Sequence, residues 1–148
     1  MLEWDQLARG NSELAKLPPD HRWDSLPETV TGLLNAALCK RPMSAAYREL
    51  VLAALQHGQD RRSAGISPDV VFREYGNLHD AIWHHLRNVL STAHRLDAIL
   101  KIDMAISLAT RASLSGYHRA KLEETGSWAG IVDHLVDEWI LFNRETTG

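Results

Sequence analysis

At 148 residues the chain is long enough to bury a sizeable core as one domain. Its 45% hydrophobic and 24% charged content is that of ordinary globular protein and argues against a disordered chain. A net charge of -3 makes it a poor non-specific nucleic-acid binder, and a single cysteine, Cys39, excludes an internal disulfide.

The N-terminus, MLEWDQLARG, has neither the basic flank nor the apolar core of a signal peptide. No apolar run approaches the ~20 residues of a membrane span, so a cytoplasmic location is expected. Leu2 to Leu17 reads as a short amphipathic helix with Leu2, Trp4, Leu7, Leu14 and Leu17 as its apolar members. Gly10-Asn11-Ser12 is placed to break it, with Ser12 capping the second piece, and Pro18-Pro19 to end it. Asp20 to Ser25 is read as a connector in which Trp23 packs down. A second helix is expected from about Pro27 to Lys40, with Val30, Leu33, Leu34, Ala37 and Leu38 on its core face. Cys39 lies at the end of this apolar run, where a buried thiol is expected. Ser44 then opens a third helix to Ala64, with Tyr47, Leu50, Val51, Ala54 and Leu55 inward and a polar end, His57 to Ser63.

A sharp corner follows. Gly65 suits the left-handed position just past a helix, and Ile66 can fold back on the last turn. Ser67 suits the N-cap of the next helix, where its hydroxyl could accept a free N–H. Pro68 and Asp69 fit the first turn. The fourth helix carries Val71, Tyr75, Leu78, Ile82, Leu86 and Val89 at three- and four-residue spacing, one stripe over about five turns. Gly76 interrupts it at a cost of about 1 kcal/mol relative to Ala, and a close helix crossing is one reason for it to be there.

Ser91-Thr92 can cap a fifth helix, Thr92 to Leu122, carrying Leu96, Ile99, Leu100, Ile102, Ile106, Ala109 and Tyr117. Ser113, Ser115 and Gly116 weaken it near its end. Asp103 falls on the apolar stripe, where a buried carboxylate would need a partner. After a turn at Glu124 to Gly126, Ser127 caps a last helix, Trp128 to Arg144. Trp128, Val132, Leu135, Trp139 and Phe142 give it apolar surface on more than one side, which marks a possible dimer interface. No segment alternates like a strand. The expected fold is all-α, five or six helices in a bundle or globin-like arrangement, over residues 1–148.

Chemistry is sparsely signalled. The eight histidines form no His-x-x-x-His or Glu-x-x-His metal pattern. Asp80 with His84 and His134 with Glu138 read as surface pairs. No Gly-x-Ser-x-Gly, no base near Cys39 and no phosphate loop is present, so neither catalysis nor a cofactor is expected. A small-molecule or haem sensor, with its pocket between the fourth and fifth helices, is an alternative; His79, His85 or His118 would then be the axial candidates.

The ordered pieces His57-Gly58-Gln59-Asp60-Arg61, Gly65-Ile66-Ser67 and Glu74-Tyr75-Gly76-Asn77-Leu78-His79 carry a resemblance, joined by Ile102-Asp103-Met104-Ala105-Ile106 and by an early Leu26-Pro27. Together they resemble the N-terminal sensor domain of RsbR/RsbRD-type stressosome co-antagonists, also the input domain of some bacterial sensor histidine kinases. The pattern departs at Gly76 and His79, where that family usually shows arginine. The resemblance implies a non-catalytic bacterial signal-transduction domain that forms a homodimer and signals to an output domain or partner protein. No kinase or STAS-type output domain lies within the sequence. The stretch AGISPDVVFREYGNLHDAIWHHL is also similar to the helix-turn-helix of TetR-type repressors, the second alternative. Its helix offers only Arg73 as a strong phosphate ligand. On the leading reading, His57, Arg61, Glu74 and Tyr75 form a structural latch at the corner, since a carboxylate and a guanidinium there can pair.

Overall fold

The computed structural model describes residues 6, 9–23, 26–38, 44–119, 132–137 and 140. All regular structure among them is helical: a 3-10 turn, Leu14–Lys16, then α1 (Pro19–Trp23), α2 (Leu26–Leu38), α3 (Ser44–Ser63), α4 (Pro68–Val89) and α5 (Thr92–His118). Residues 132–137 are helical as well. Cys39, Trp128, Trp139, Phe142 and the turn expected at Glu124 to Gly126 lie outside the described residues.

Residues 6 and 9 are helical, and the break expected at Gly10-Asn11-Ser12 is present as a turn that leads into the 3-10 turn. Asn11, not Ser12, closes the 3-10 turn: its Oδ1 accepts from the amides of Glu13 at 2.9 Å and Leu14 at 3.3 Å. A short side chain that bonds nearby backbone offers the chain an alternative to helix. Pro19 then opens α1 instead of merely ending a helix, because its missing N–H costs nothing in a first turn.

The core is built on α3 and α5, which pack most extensively, with α2 against both and α4 mainly against α5. On α3, Leu50, Val51, Ala54 and Leu55 are fully buried, as their spacing predicts. On α2, Leu33 and Ala37 face inward, but Leu34 is exposed and Ala36 takes a core place. Val132, Leu135 and Val136 join the same core, and Asp133 pairs with Arg48 of α3.

Two glycines fix the α3–α5 distance. A Cβ on Gly58 would lie 1.8 Å from the Ser113 carbonyl oxygen, and one on Gly116 would lie 2.2 Å from that of Leu55. Backbone meets backbone here, so Ser113 and Gly116 do not weaken the end of α5; they form its closest crossing. Nothing lies within 4 Å of a Cβ at Gly76, which removes a close crossing as the reason for that glycine.

The α3–α4 corner closes as its residues dictate. Gly65 has φ +73°. The Ile66 amide donates to the Arg61 carbonyl at 2.9 Å and that of Gly65 to the Arg62 carbonyl at 3.0 Å. That is the paired closure of a Schellman motif, with Ile66 buried against the last turn. Gly65→Ala is expected to lower stability by about 1 kcal/mol, because a side chain resists positive φ; thermal denaturation checks it. Ser67 departs from expectation. Its hydroxyl makes no cap bond to α4. Instead its amide and hydroxyl donate to the Glu13 carboxylate at 2.9 and 3.3 Å, a negative charge at the positive end of the helix.

The apolar stripe of α4 holds for its first half. Val71, Tyr75 and Leu78 are buried, Ile82 and Leu86 are half-buried, and Val89 is 65% exposed. Leu96 and Leu100 on α5 are exposed in the same way. The distal halves of these two helices therefore form a hairpin with apolar surface open at its free end.

Candidate functional site: a buried ion-paired corner

His57 and Arg61 continue the inward face of α3, at the spacing that runs from Leu50 through Ala54. The end of that helix is polar in composition yet buried: both residues are 0% exposed. Facing them from α4 is the equally buried Glu74. Buried charges must be paired and hydrogen-bonded to be tolerated, and these are. Arg61 Nε donates to both Glu74 oxygens at 3.0 Å, and Nη2 donates to Oε1 at 2.9 Å. The outer edge of the guanidinium reaches α1, with Nη1 donating to the His21 carbonyl at 2.7 Å and Nη2 to that of Arg22 at 2.6 Å. One planar fork thus ties three helices, a geometry that lysine could not reproduce.

His57 Nε2 lies 3.2 Å from Glu74 Oε2. An ionised carboxylate only accepts, so Nε2 carries the proton. Nδ1 has no hydrogen-bond partner among the described residues; the ring stands edge-on to Tyr75, centroids 5.9 Å apart. Burial pushes the Glu74 carboxyl up. Hydrogen bonding and electrostatic attraction from His57 and then Arg61 outweigh it and hold the carboxyl below its usual range.

Tyr75 extends the site to α5. Ser113 Oγ donates to the Ala54 carbonyl at 2.7 Å, so the Tyr75 hydroxyl is the donor in its 2.6 Å bond to Ser113. Burial drives the phenol's pKa well upward, despite hydrogen bonds with Ser113 and Thr29. Tyr75→Phe is expected to cost about 1 kcal/mol, since it strips an acceptor of its donor without opening a cavity; denaturant unfolding measures it.

Asp103 stands apart from this cluster. It is half-exposed on α5 and 2.7 Å from His79 Nε2 of α4, while His79 Nδ1 meets Asp80 at 3.1 Å. Asp80 thus pairs with its neighbour and not with His84. The carboxylate on the apolar stripe therefore has its partner at the surface. Next to this pair the crevice between α4 and α5, lined by Ile82, Trp83 and Ile99 among others, encloses about 10 Å³. That is room for one water, and this crevice does not take haem or a metabolite. Among the described residues no group of three or more His, Cys, Asp or Glu side chains could hold a metal ion. No described helix is long and apolar enough to cross a membrane.

The sequence named His57, Arg61, Glu74 and Tyr75, and the structure brings all four together. Ser113, Thr29 and the carbonyls of His21 and Arg22 were missed. Only the run of small residues Ala109, Ala112, Ser113 and Gly116 hinted that α5 approaches a neighbour closely there. Of the apolar positions on the last helix, Val132 and Leu135 are buried against their own chain.

The class these observations define is an all-α domain organised around a buried, ion-paired helix corner. The family model described as the RsbT co-antagonist protein rsbRD N-terminal domain matches residues 4–129, and the chain belongs to that family of stressosome-related signalling domains. No curated protein and no solved structure matches the chain.

Proposed function

We propose that this chain, as one unit over residues 1–148, is the non-catalytic input module of a bacterial cytoplasmic signalling complex. It pairs with a second copy and passes a conformational change to an output domain or partner protein. Membership of the rsbRD N-terminal family carries this reading. The family is described as the N-terminal domain of a co-antagonist protein. The site fits a structural and signalling part: its charged groups are consumed in bonds to one another and to backbone. Pairing has apolar surface to use at the free end of the α4–α5 hairpin, where Val89, Leu96 and Leu100 are exposed.

Sedimentation equilibrium over a wide concentration range tests the pairing. A dimer that Leu96→Glu with Leu100→Glu dissociates is the expected result. A strict monomer at high concentration overturns the homodimer, and a dimer untouched by the double change moves the interface elsewhere.

A further inference from the structure

We infer that residues 9–23 form a strap that opens and closes over the ion-paired corner while α2 to α5 stay folded. α1 has five residues and no extensive packing against the longer helices. A helix that short has no stability of its own in water, so it persists only through its attachments. Its described attachments include the following. Leu14 is buried in the core, with Leu17 packed half-buried against it, and Arg22 is buried as well. The Glu13 carboxylate holds the Ser67 amide and hydroxyl at the start of α4. Arg61 grips the carbonyls of His21 and Arg22 at the end of α1.

The Glu13 and Arg61 attachments end on the α3–α4 corner, one on each side of it. They are also unlike the rest of the corner's bonds. The Arg61–Glu74 and His57–Glu74 contacts join α3 to α4 and survive if the strap leaves. The strap's described bonds to the corner reach across a long stretch of chain. Segments with few buried apolar contacts open at a lower free energy than the core on which they lie. Opening uncovers the side of Arg61 that α1 now covers and leaves two guanidinium donors facing water. The strap is therefore the element whose position reports on the corner, and through which a partner could bias it.

Hydrogen–deuterium exchange on the full chain tests this, comparing the native protein with Glu13→Ala. In the native protein, amides of residues 14–23 are expected to exchange faster than those of α3 and α5. In Glu13→Ala, which loses two bonds to a carboxylate, that exchange is expected to rise on the order of tenfold, with α3 and α5 unchanged. Leu14→Ala, which weakens the apolar attachment, is expected to act on the same segment. Equal protection of strap and core in the native protein overturns the inference. So does a rise shared by all helices in both variants, which marks global unfolding, or no rise in either.

Discussion

Gly58→Ala is expected to destabilise the protein by about 3 kcal/mol or more, as forced overpacking at a helix contact does. For a chain of this size that is a fall of roughly 10 °C in melting temperature. The added methyl would sit 1.8 Å from the Ser113 carbonyl oxygen. No rotamer change relieves such a clash, because both partners are main chain, so α3 and α5 must part. Parting them also stretches the Ser113–Ala54 and Tyr75–Ser113 bonds. The control is the same substitution at Gly76, exposed and with nothing within 4 Å of the new methyl. There alanine is expected to stabilise α4 by about 0.5–1 kcal/mol, the ordinary helix-interior difference. Thermal unfolding of the two variants should move in opposite directions.

Glu74→Ala is expected to cost about 3–5 kcal/mol, the range for breaking a buried ion pair from one side. It takes the carboxylate away from the Arg61 guanidinium, which still meets the two α1 carbonyls, and removes the Nε2 partner of His57. Arg61→Met is expected to cost as much by taking the guanidinium from the buried Glu74 carboxylate, leaving it the weaker His57 bond. The double variant, neutral on both sides, should recover part of the loss, and a double-mutant cycle reads that recovery. An unchanged melting temperature in Glu74→Ala would dispose of the latch.

The pH dependence has a definite sign. The folded carboxyl is held below its unfolded value. Its contribution is therefore complete above the unfolded pKa, about 4.3, and is lost as pH falls through the folded value. Stability of the native protein should fall on that acid side, and less of that fall should remain in Glu74→Gln.

What could be read from sequence was what is local. Gly65, Ile66 and Pro68 each demand their backbone place, so the corner is written in adjacent letters. The inner face of α3 is equally plain while its residues are apolar. It becomes hard to follow where His57 and Arg61 take over, because polar residues at an inward position look like a solvated end until their partner is known. Family-like spacing supplied that partner, Glu74. It could not supply Glu13 for Ser67, the α1 carbonyls for Arg61, or Ser113 for Tyr75. Those pairings are set by which helices meet, and the meeting of α3 with α5 depends on Gly58 and Gly116, two residues whose contribution is an absence of side chain. Val89, Leu96 and Leu100 fail in the opposite sense. Their periodicity marks them for a core, and the hairpin simply extends beyond it.

The contact between Gly58 and the backbone at Ser113 has a mechanical consequence. Two main chains in touch cannot slide past each other through a side-chain rearrangement, but they can tilt about the point where they meet. That point lies near the C-terminal end of α5, so the helix back to Thr92 is a long arm of about 30 Å at 1.5 Å per residue. A tilt of roughly five degrees at this pivot would carry the hairpin tip about 2.5 Å, enough to remake a surface built from Val89, Leu96 and Leu100.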